Sequence, residues 1–351
     1  MNRRGRVAAG AAVLAAWPAF GPGASAAAQE LELAGTIPAA AGVAALAGDY
    51  AYLGAGPTLR VYDISDATAA AAGGSVTLPA NIYDIEVAGT VAYMAMDFDG
   101  LATVDVSDPA APRLLGTFRT PGQALSVAIS GTTAAVTNRL SGLELVDVSD
   151  PAAPAPRGSY FAEGYAIDVA AAGAFAYVVD TPGGLSIVDI TTPGDELEAA
   201  GSLSLDEQPA AVAVTAVQRG GREIILAALM SSESTLELVD VSDPAAPVAL
   251  ASYRDPERPR TGAYIAAAAT GGLVHVVLAE SRAFLADAYP PFALQAVDLS
   301  DPAAPAALAT YALPGPPGDV AVSGSRVLAP VAGREFGGTG DAAVLILRLV
   351  P

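Results

Sequence analysis

Three acidic residues of this sequence stand where carboxylates from separate parts of the chain can meet. Asp84, Asp168 and Asp319 each lie five residues before a glycine that joins two short apolar segments, and Ser126 occupies the same place in a fourth such segment. Three carboxylates at one place can hold a hard cation such as Ca²⁺, with backbone carbonyls and water as further ligands. A plainer interpretation is that each Asp accepts hydrogen bonds at the start of its own strand. The sequence leaves both interpretations open.

Two further series of Asp residues recur along the chain. The first is Asp63, Asp105, Asp147, Asp189, Asp240 and Asp298, and the second is Asp66, Asp108, Asp150, Asp243 and Asp301. Because each repeat supplies one member, the members of a series cannot converge on a single ion. Asp side chains readily accept hydrogen bonds from amides two residues further on. We therefore predict that both series stabilise turns.

The sequence excludes several kinds of catalytic site. It has no Cys and a single His, so it cannot form a Cys/His zinc site or a Ser-His-Asp triad that uses a second His. His275 aligns with Tyr52, Tyr93 and Tyr177 when the hairpin glycines are superimposed. A position that accepts both Tyr and His indicates packing rather than catalysis. The catalytic residues of any enzymatic activity stay unknown at this stage.

Internal repeats predict the fold. Leu143–Pro154 reads LELVDVSDPAAP, and Leu236–Pro247 repeats the same string. Related strings recur at a period of about 42 residues, and each follows an apolar hairpin and precedes one more short strand, which is typical of propeller blades. The hairpins begin near Val43, Ile85, Val127, Val169, Val212, Ile265 and Val320. We predict an all-β, seven-bladed β-propeller of four-stranded blades, whose last blade is completed by the N-terminal strand Leu31–Ile37.

The repeated pattern L-x-[IVL]-V-D-[VI]-S-D-P-x-x-P resembles that of the LVIVD-repeat proteins. The resemblance covers nearly all of the chain after residue 28, with Arg348 in the last copy as the clearest departure. It implies a β-propeller-type protein that is secreted or located at the cell surface. It implies no single activity, so no catalytic residue is transferred.

Long connections on one face of the predicted ring suggest a ligand site. They are Tyr253–Gly262, Glu280–Phe292 and Ala332–Ala342, and they share the face on which the innermost strands carrying Asp84, Asp168 and Asp319 begin. Arginines there can grip a carboxylate, a sulfate or an acidic partner, and tyrosines can stack on a sugar or a peptide. The candidate ligand-binding residues are Arg254, Arg258, Arg260, Tyr264, Arg282, Tyr289 and Arg334. The alternative is that long surface loops simply carry polar residues.

Composition and the N-terminal segment predict an exported protein. The net charge is −20 and all 17 basic residues are Arg, which disfavours nucleic acids and anionic membranes as partners. Residues 1–28 carry a basic start, an apolar run and small residues before Gln29, as a signal peptide does. We expect residues 29–351 to form a monomeric propeller in the periplasm or outside the cell. Either the general or the twin-arginine pathway could export it.

The function that the sequence favours is a binding or interaction module that uses the long-loop face, with a protein, a carbohydrate or a small anionic ligand as partner. The alternative is a hydrolase or lyase that works through Asp84, Asp168 and Asp319, with Ca²⁺ as the candidate cofactor. A structural component of the cell envelope is a third interpretation.

Overall fold

The protein consists almost entirely of antiparallel β-strands. The computed structural model describes residues 30–350 except 140, 163, 182, 206–208, 220–221, 232–234, 255–274, 280–281, 287–291 and 333–340. The predicted signal peptide therefore lies outside the described residues. Among the helical segments in the described ranges, none is long and apolar enough to cross a membrane.

The first half of the chain forms β1 and three sheets in sequence order. β1 spans Glu30–Ile37. Sheet 1 contains β2 (Val43–Ala47), β3 (Tyr50–Ala55), β4 (Thr58–Asp63) and β5 (Ala71–Thr77), with a 3₁₀ turn at Ala67–Ala69. Sheet 2 contains β6 (Asp84–Ala88), β7 (Val91–Ala95), β8 (Leu101–Asp105) and β9 (Arg113–Phe118). Sheet 3 contains β10 (Ala124–Ser130), β11 (Thr133–Asn138), β12 (Gly142–Asp147) and β13 (Ala155–Tyr160).

The second half repeats the same order. Sheet 4 contains β14 (Tyr165–Ala172), β15 (Phe175–Thr181), β16 (Gly184–Asp189) and β18 (Ala199–Leu203), while β17 (Gly194–Leu197) pairs in parallel with β13. Sheet 5 contains β19 (Pro209–Arg219), β20 (Arg222–Ser231), β21 (Leu236–Asp240) and β22 (Val248–Tyr253). Sheet 6 contains β23 (His275–Ala279), β24 (Arg282–Ala286), β25 (Ala293–Asp298) and β26 (Ala306–Ala312). Sheet 7 contains β27 (Ala321–Ser323), β28 (Arg326–Val331), β29 (Ala343–Val350) and β1.

The sheets are arranged around a ring, with the first strand of each sheet innermost. Each of β2, β6, β10, β14, β19 and β23 contacts the next first strand along the chain, and β27 contacts β2. This is a β-propeller with four-stranded blades, which confirms the predicted fold at that level.

The hydrophobic core is divided into layers between consecutive sheets. For example, Leu59 and Val61 of sheet 1 pack with Met94 and Val104 of sheet 2, and equivalent clusters join every neighbouring pair, including sheets 7 and 1. The middle strands are buried on both faces, and for this reason the LVIVD-type strings are almost continuously apolar.

Two kinds of turn shape the sheets. In sheets 1 to 4 and 7 the first two strands are joined by two-residue turns whose first residue is a glycine with φ near +60°, as a type II′ hairpin requires; these are Gly48, Gly89, Gly131, Gly173 and Gly324. In sheets 2, 3, 5 and 6 the third and fourth strands are joined by the Asp-Pro turn. In that turn the backbone N–H of Ala111 donates to the Asp108 carbonyl oxygen at 3.0 Å.

The fourth strands of sheets 1, 2 and 4 also contact the Asp-Pro turn of the next sheet. The fourth strand is shifted in register at a β-bulge in every sheet, and a glycine commonly occupies the bulge. At Gly116, an added Cβ would lie 2.9 Å from the carbonyl oxygens of Pro151 and Ala152. The Thr103 hydroxyl donates to the Pro151 oxygen at 2.5 Å. Neighbouring sheets are therefore joined through backbone contacts as well as through side chains.

The N-terminal strand closes the ring. β1 pairs with β29 along its whole length, with Glu30 opposite Val350 and Ile37 opposite Val344. Leu31 and Ile37 are buried. The prediction that Leu31–Ile37 completes the last sheet is confirmed, and this pairing leaves β29 without a free edge.

Sheet 6 differs from the sequence prediction. The hairpin expected from Ile265 around Gly271 is instead formed by β23 and β24, with Ala279 opposite Arg282. His275 is therefore the first residue of β23, the position at which Ala266 was expected. It is not equivalent in position to Tyr52, Tyr93 and Tyr177, with which the sequence analysis aligned it. The HVVLA and RAFLA segments have stronger β-propensity than the alanine-rich segment before them, which explains the shift.

Candidate functional site

One end of the propeller, which we call the mouth face, combines two kinds of connection. It carries the loops between second and third strands and the crossovers from each fourth strand to the next first strand. Loop and crossover touch where Asp97 and Ala124 exchange backbone hydrogen bonds of 2.8 and 3.1 Å. Side chains from neighbouring sheets are thereby brought together on this face.

The predicted acidic residues lie at the inner end of the mouth face, but Asp84 and Asp168 bridge sheets instead of only capping their own strands. Asp84 accepts from the Ile85 N–H at 2.7 Å through Oδ1, and from the Ser126 hydroxyl and Val127 N–H, at 2.9 and 2.8 Å, through Oδ2. Asp168 similarly accepts from its own neighbour Val169 and from Val212 of the next sheet. Two residues further along β6, Glu86 Oε2 accepts from the Ile129 N–H at 2.9 Å.

These inner carboxyl groups have raised pKa values. Burial, together with the charges of Asp319 and Asp168, raises the pKa of Asp84 to about 8, against the hydrogen bonds that it accepts. Burial raises the pKa of Glu86 to about 7 and also raises the pKa of Asp168, with the Asp319 charge adding to the effect. The three predicted residues Asp84, Asp168 and Asp319 are thus close enough to repel one another.

The calcium interpretation stays a prediction. Within the described ranges, no group of three or more His, Cys, Asp or Glu side chains is placed to hold a metal ion. The Oδ2 atoms of Asp84 and Asp168 are occupied by N–H groups of neighbouring sheets. Their described role is to join sheets.

The two recurrent Asp series have the predicted turn-stabilising role. Oδ1 of each first-series residue accepts from the backbone N–H two residues later, at 2.8 to 3.0 Å. The second series does the same at 2.9 to 3.2 Å. Hydrogen bonds to Ser or Thr lower the pKa of Asp63, Asp66, Asp105 and Asp147. Both predictions are confirmed.

Exposed aromatic rings on the mouth face form a feature that the sequence analysis missed. Phe98, in the loop of sheet 2, is 63% exposed; Phe161, after β13, is 73% exposed; and Tyr165, at the start of β14, is 52% exposed. The other large exposed hydrophobic residues among those described are Tyr83, just before β6, and Leu33, Leu114 and Val248 on fourth strands. The three rings belong to mouth-face segments of sheets 2 to 4, and we refer to Phe98, Phe161 and Tyr165 together as the aromatic cluster.

Close backbone packing fixes the segment that carries Phe161. Gly142, with φ +90°, lies against the crossover so tightly that an added Cβ would be 2.6 Å from the Ala162 nitrogen and would clash with the Tyr160 oxygen. Gly100 contacts the crossover at Phe118–Thr120 in the same way. The glycine that precedes the LVIVD-type string is the sequence signal for this contact.

Two described arginines of the mouth face are already engaged. The Arg139 guanidinium lies 5.9 Å from the centre of the Tyr165 ring, and its Nη1 donates to Gln123 Oε1 at 3.3 Å. Arg119 forms an ion pair of 2.5 Å with Asp99. Both arginines hold loops of the mouth face in place.

Polar side chains are buried between sheets 2 and 3, next to the loop that carries Phe98. Asn138 is 0% exposed, and within the described part of the chain the buried Oδ1 atom of Asp97 has no hydrogen-bond partner. Asp97 has a φ of +47°, which is uncommon for a residue with a side chain. Unpaired buried polar atoms and backbone strain both cost stability and occur preferentially at functional sites.

The predicted ligand-binding residues have different outcomes. Arg254 lies at the mouth face and donates from Nε to the Thr235 hydroxyl at 3.0 Å. Arg282 was placed on the wrong face: it begins β24, directly after the hairpin turn, and so lies at the opposite end of the ring. β24 occupies Arg282–Ala286, so the loop predicted at Glu280–Phe292 does not form over its whole length. Most of the remainder of that loop, and most of the crossover predicted at Tyr253–Gly262, lie outside the described residues. Arg258, Arg260, Tyr264, Tyr289 and Arg334 lie outside the described residues.

A groove of about 410 Å³ lies elsewhere, at the seam where the ring closes. Glu32 and Leu33 of β1, Asp66 and Thr68 of the 3₁₀ turn region, and Arg348 of β29 line it. It follows from the docking of β1 beside sheet 1.

Comparison with known proteins assigns the family. The LVIVD-repeat model matches residues 40–77, 81–120, 121–161, 163–195 and 232–255, within sheets 1 to 5. The class defined by fold and repeat is thus a β-propeller built from LVIVD strands. The chain belongs to the LVIVD-repeat family.

Similar solved structures agree in fold. The β-propeller domain of Cps50 (Swd1) from Myceliophteria thermophila has a TM-score of 0.67 at 13% identity, with 91% of this chain and 100% of that domain covered. The computationally designed Ika8 protein has a TM-score of 0.59 at 10% identity, with 91% and 99% covered. No match is found among the curated proteins.

Proposed function

We propose that this LVIVD-repeat protein is an exported binding module that captures its ligand on the mouth face. The aromatic cluster carries the proposal, because exposed Phe and Tyr rings on one face of a propeller provide rigid stacking surface that folding itself does not need. The strained Asp97 and the buried Asn138 amide lie beside it and support the same face.

We propose further that the ring has seven blades, one for each sheet, and that residues 1–28 direct export to the periplasm or the cell exterior. The contact between β27 and β2 supports a ring in which every sheet is a blade. Fractionation of cells that express the full chain, with N-terminal sequencing of the exported form, tests the second part. An uncleaved chain in the cytoplasm would contradict it.

A binding assay on the immobilised protein tests the binding role. The panel of candidate ligands contains neutral and acidic oligosaccharides and acidic, neutral and basic peptides. The triple variant Phe98→Ala, Phe161→Ala, Tyr165→Ala should lose at least about tenfold in affinity for whatever binds, since removal of interface aromatics commonly costs more than 1 kcal/mol each. Its melting temperature should stay near that of the wild type because the rings are exposed.

The matched control is Leu114→Ala with Val248→Ala, which removes exposed apolar groups from the outer strands β9 and β22. Binding should survive this change. The proposal fails if nothing in the panel binds, or if the triple variant binds as well as the control.

The enzymatic alternative receives less support. The described hydrogen bonds of Asp84 and Asp168 connect them to backbone N–H groups of adjacent sheets, which is a structural role.

A further inference from the structure

The mouth face has an excess of negative charge among the described residues. Asp319 lies at its inner end, and Asp97 and Asp341 lie on its loops, whereas Asp84 and Asp168 have raised pKa values and do not count towards this charge. Of the arginines described there, Arg119 is paired with Asp99, Arg139 contacts the neutral groups of Gln123 and Tyr165, and Arg254 contacts the Thr235 hydroxyl. An acidic ligand would meet this charge unfavourably, and a cationic one favourably.

The rings of the aromatic cluster are suited to cations. A guanidinium stacks on the face of a Tyr or Phe ring through the ring quadrupole, and the stacking of Arg139 on Tyr165 shows this contact within the chain. The rings of Phe98 and Phe161 are more exposed than that of Tyr165. A second copy of the chain is a poor occupant, because two molecules of net charge −20 repel each other.

We propose that the mouth face binds an arginine-rich, extended polypeptide segment, whose guanidinium groups stack on Phe98 and Phe161 while the acidic groups of the mouth attract their charge. This inference rests on the proposed binding function and names the ligand class for it. An extended peptide fits because the rings belong to three neighbouring sheets, so that several side chains of one segment can be engaged at once.

Isothermal titration of the wild-type protein with an octa-arginine peptide tests the inference. The matched probe is the same peptide with citrulline at every position, which keeps the shape of the side chain and removes the charge. We expect the arginine peptide to bind at least tenfold more tightly than the citrulline peptide. We also expect Phe98→Ala with Phe161→Ala to weaken arginine-peptide binding by about tenfold.

A pair of charge variants separates the mouth from the general acidity of the protein. Asp319→Asn with Asp341→Asn removes two charges from the mouth face, and Asp63→Asn with Asp147→Asn removes two from the opposite end while keeping the acceptor oxygen of each turn. The first pair should weaken binding several-fold and the second should leave it within twofold. Equal effects of the two pairs, or equal binding of the two peptides, overturn the inference.

The two proposals fail in different ways. If an oligosaccharide or a neutral peptide binds through the aromatic cluster and octa-arginine does not, only the ligand class is wrong. If no compound shows binding that depends on the rings, the binding function itself is wrong.

Discussion

At the scale of single residues, carboxyl groups of this protein fall into two electrostatic classes. Exposed Asp residues of the turns accept local hydrogen bonds that lower their pKa values. The inner groups Asp84, Glu86 and Asp168 are buried between strands, and burial raises their pKa values. Carboxyl groups of the turns therefore contribute most to stability at higher pH, and the buried inner carboxyl groups contribute most at lower pH.

The inner groups should make the protein less stable as pH rises from about 5 to 9. Their pKa values are higher in the folded than in the unfolded state, so their contribution is complete at low pH and is lost as pH rises through about 7 to 8. The turn residues have lowered values and act in the opposite sense, since their contribution is lost as pH falls below about 4. Denaturant unfolding at a series of pH values should show a maximum under mildly acidic conditions.

Asp84→Asn is the variant that tests the source of this slope. Asn cannot ionise, so the loss of stability between pH 5 and 9 should become shallower, while Asp147→Asn should leave it unchanged. A wild-type stability that rises over this range would contradict the assignment.

The role of the turn Asp residues could be predicted from the sequence, because each of them accepts a hydrogen bond from an N–H only two residues later in the same repeat. The sequence could not predict that Oδ2 of Asp84 reaches Val127, because that contact depends on how two sheets pack. The exposed ring of Phe161 was missed for a similar reason. Whether an aromatic residue after a strand is buried or exposed depends on the crossover that carries it.

At the scale of strands and loops, glycines decide how closely neighbouring segments approach. Gly142 lies in the left-handed region and against the backbone of the crossover. Gly131, in the hairpin turn of the same sheet, has a φ of +61°, and a Cβ added there would meet no other group within 4 Å. The two positions share a conformational requirement and differ in their surroundings.

Gly142→Ala should destabilise the protein by about 2 kcal/mol or more, because backbone strain and a steric clash act together. Gly131→Ala should cost about 1 kcal/mol, from the left-handed conformation alone. Denaturant unfolding of the two variants measures the difference, and equal losses would show that the crossover yields easily. Gly142→Ala should also weaken ligand binding, since it displaces the segment that carries Phe161.

Element prediction succeeded where repeats were regular and failed in sheet 6. In sheets 1 to 5 the spacing of hairpin glycines and LVIVD-type strings located each strand to within a few residues. Before β23 the chain offers Gly271-Gly272 as a turn signal, although the paired strands lie further on. A glycine pair favours a turn locally. The strands that pair are nevertheless the apolar segments β23 and β24, on either side of residues 280–281.

At the scale of the whole molecule, stability is distributed around a ring. Each hydrophobic layer joins two consecutive sheets, so that each sheet depends on its two neighbours, and the described residues form no core common to all sheets. The ring makes the layer between sheets 7 and 1 as necessary as any other.

Removal of residues 30–37 should open this layer, which contains Ile37, and the layer between sheets 6 and 7, which contains Leu31. The change deletes buried Leu31 and Ile37 and exposes the edge of β29. We expect a loss of about 4 kcal/mol or more, from two buried aliphatic side chains, and self-association through the free edge. Denaturant unfolding and sedimentation velocity measure both effects, with the chain from Gln29 as control.

A peptide with the sequence of residues 30–37, added to the truncated chain, should restore stability and reduce self-association. A truncated chain that remains monomeric and unfolds at the wild-type denaturant concentration would contradict the closing role of β1.

The pairing of β1 with β29 also sets an order of events during synthesis. Sheets 1 to 6 each contain strands made one after another, so each can form once its own segment has left the ribosome. Sheet 7 needs the first strand of the described chain together with the last, so β1 must wait for its partner until every other strand has been made. A product terminated late in translation would contain nearly the whole ring and still be unable to shut it.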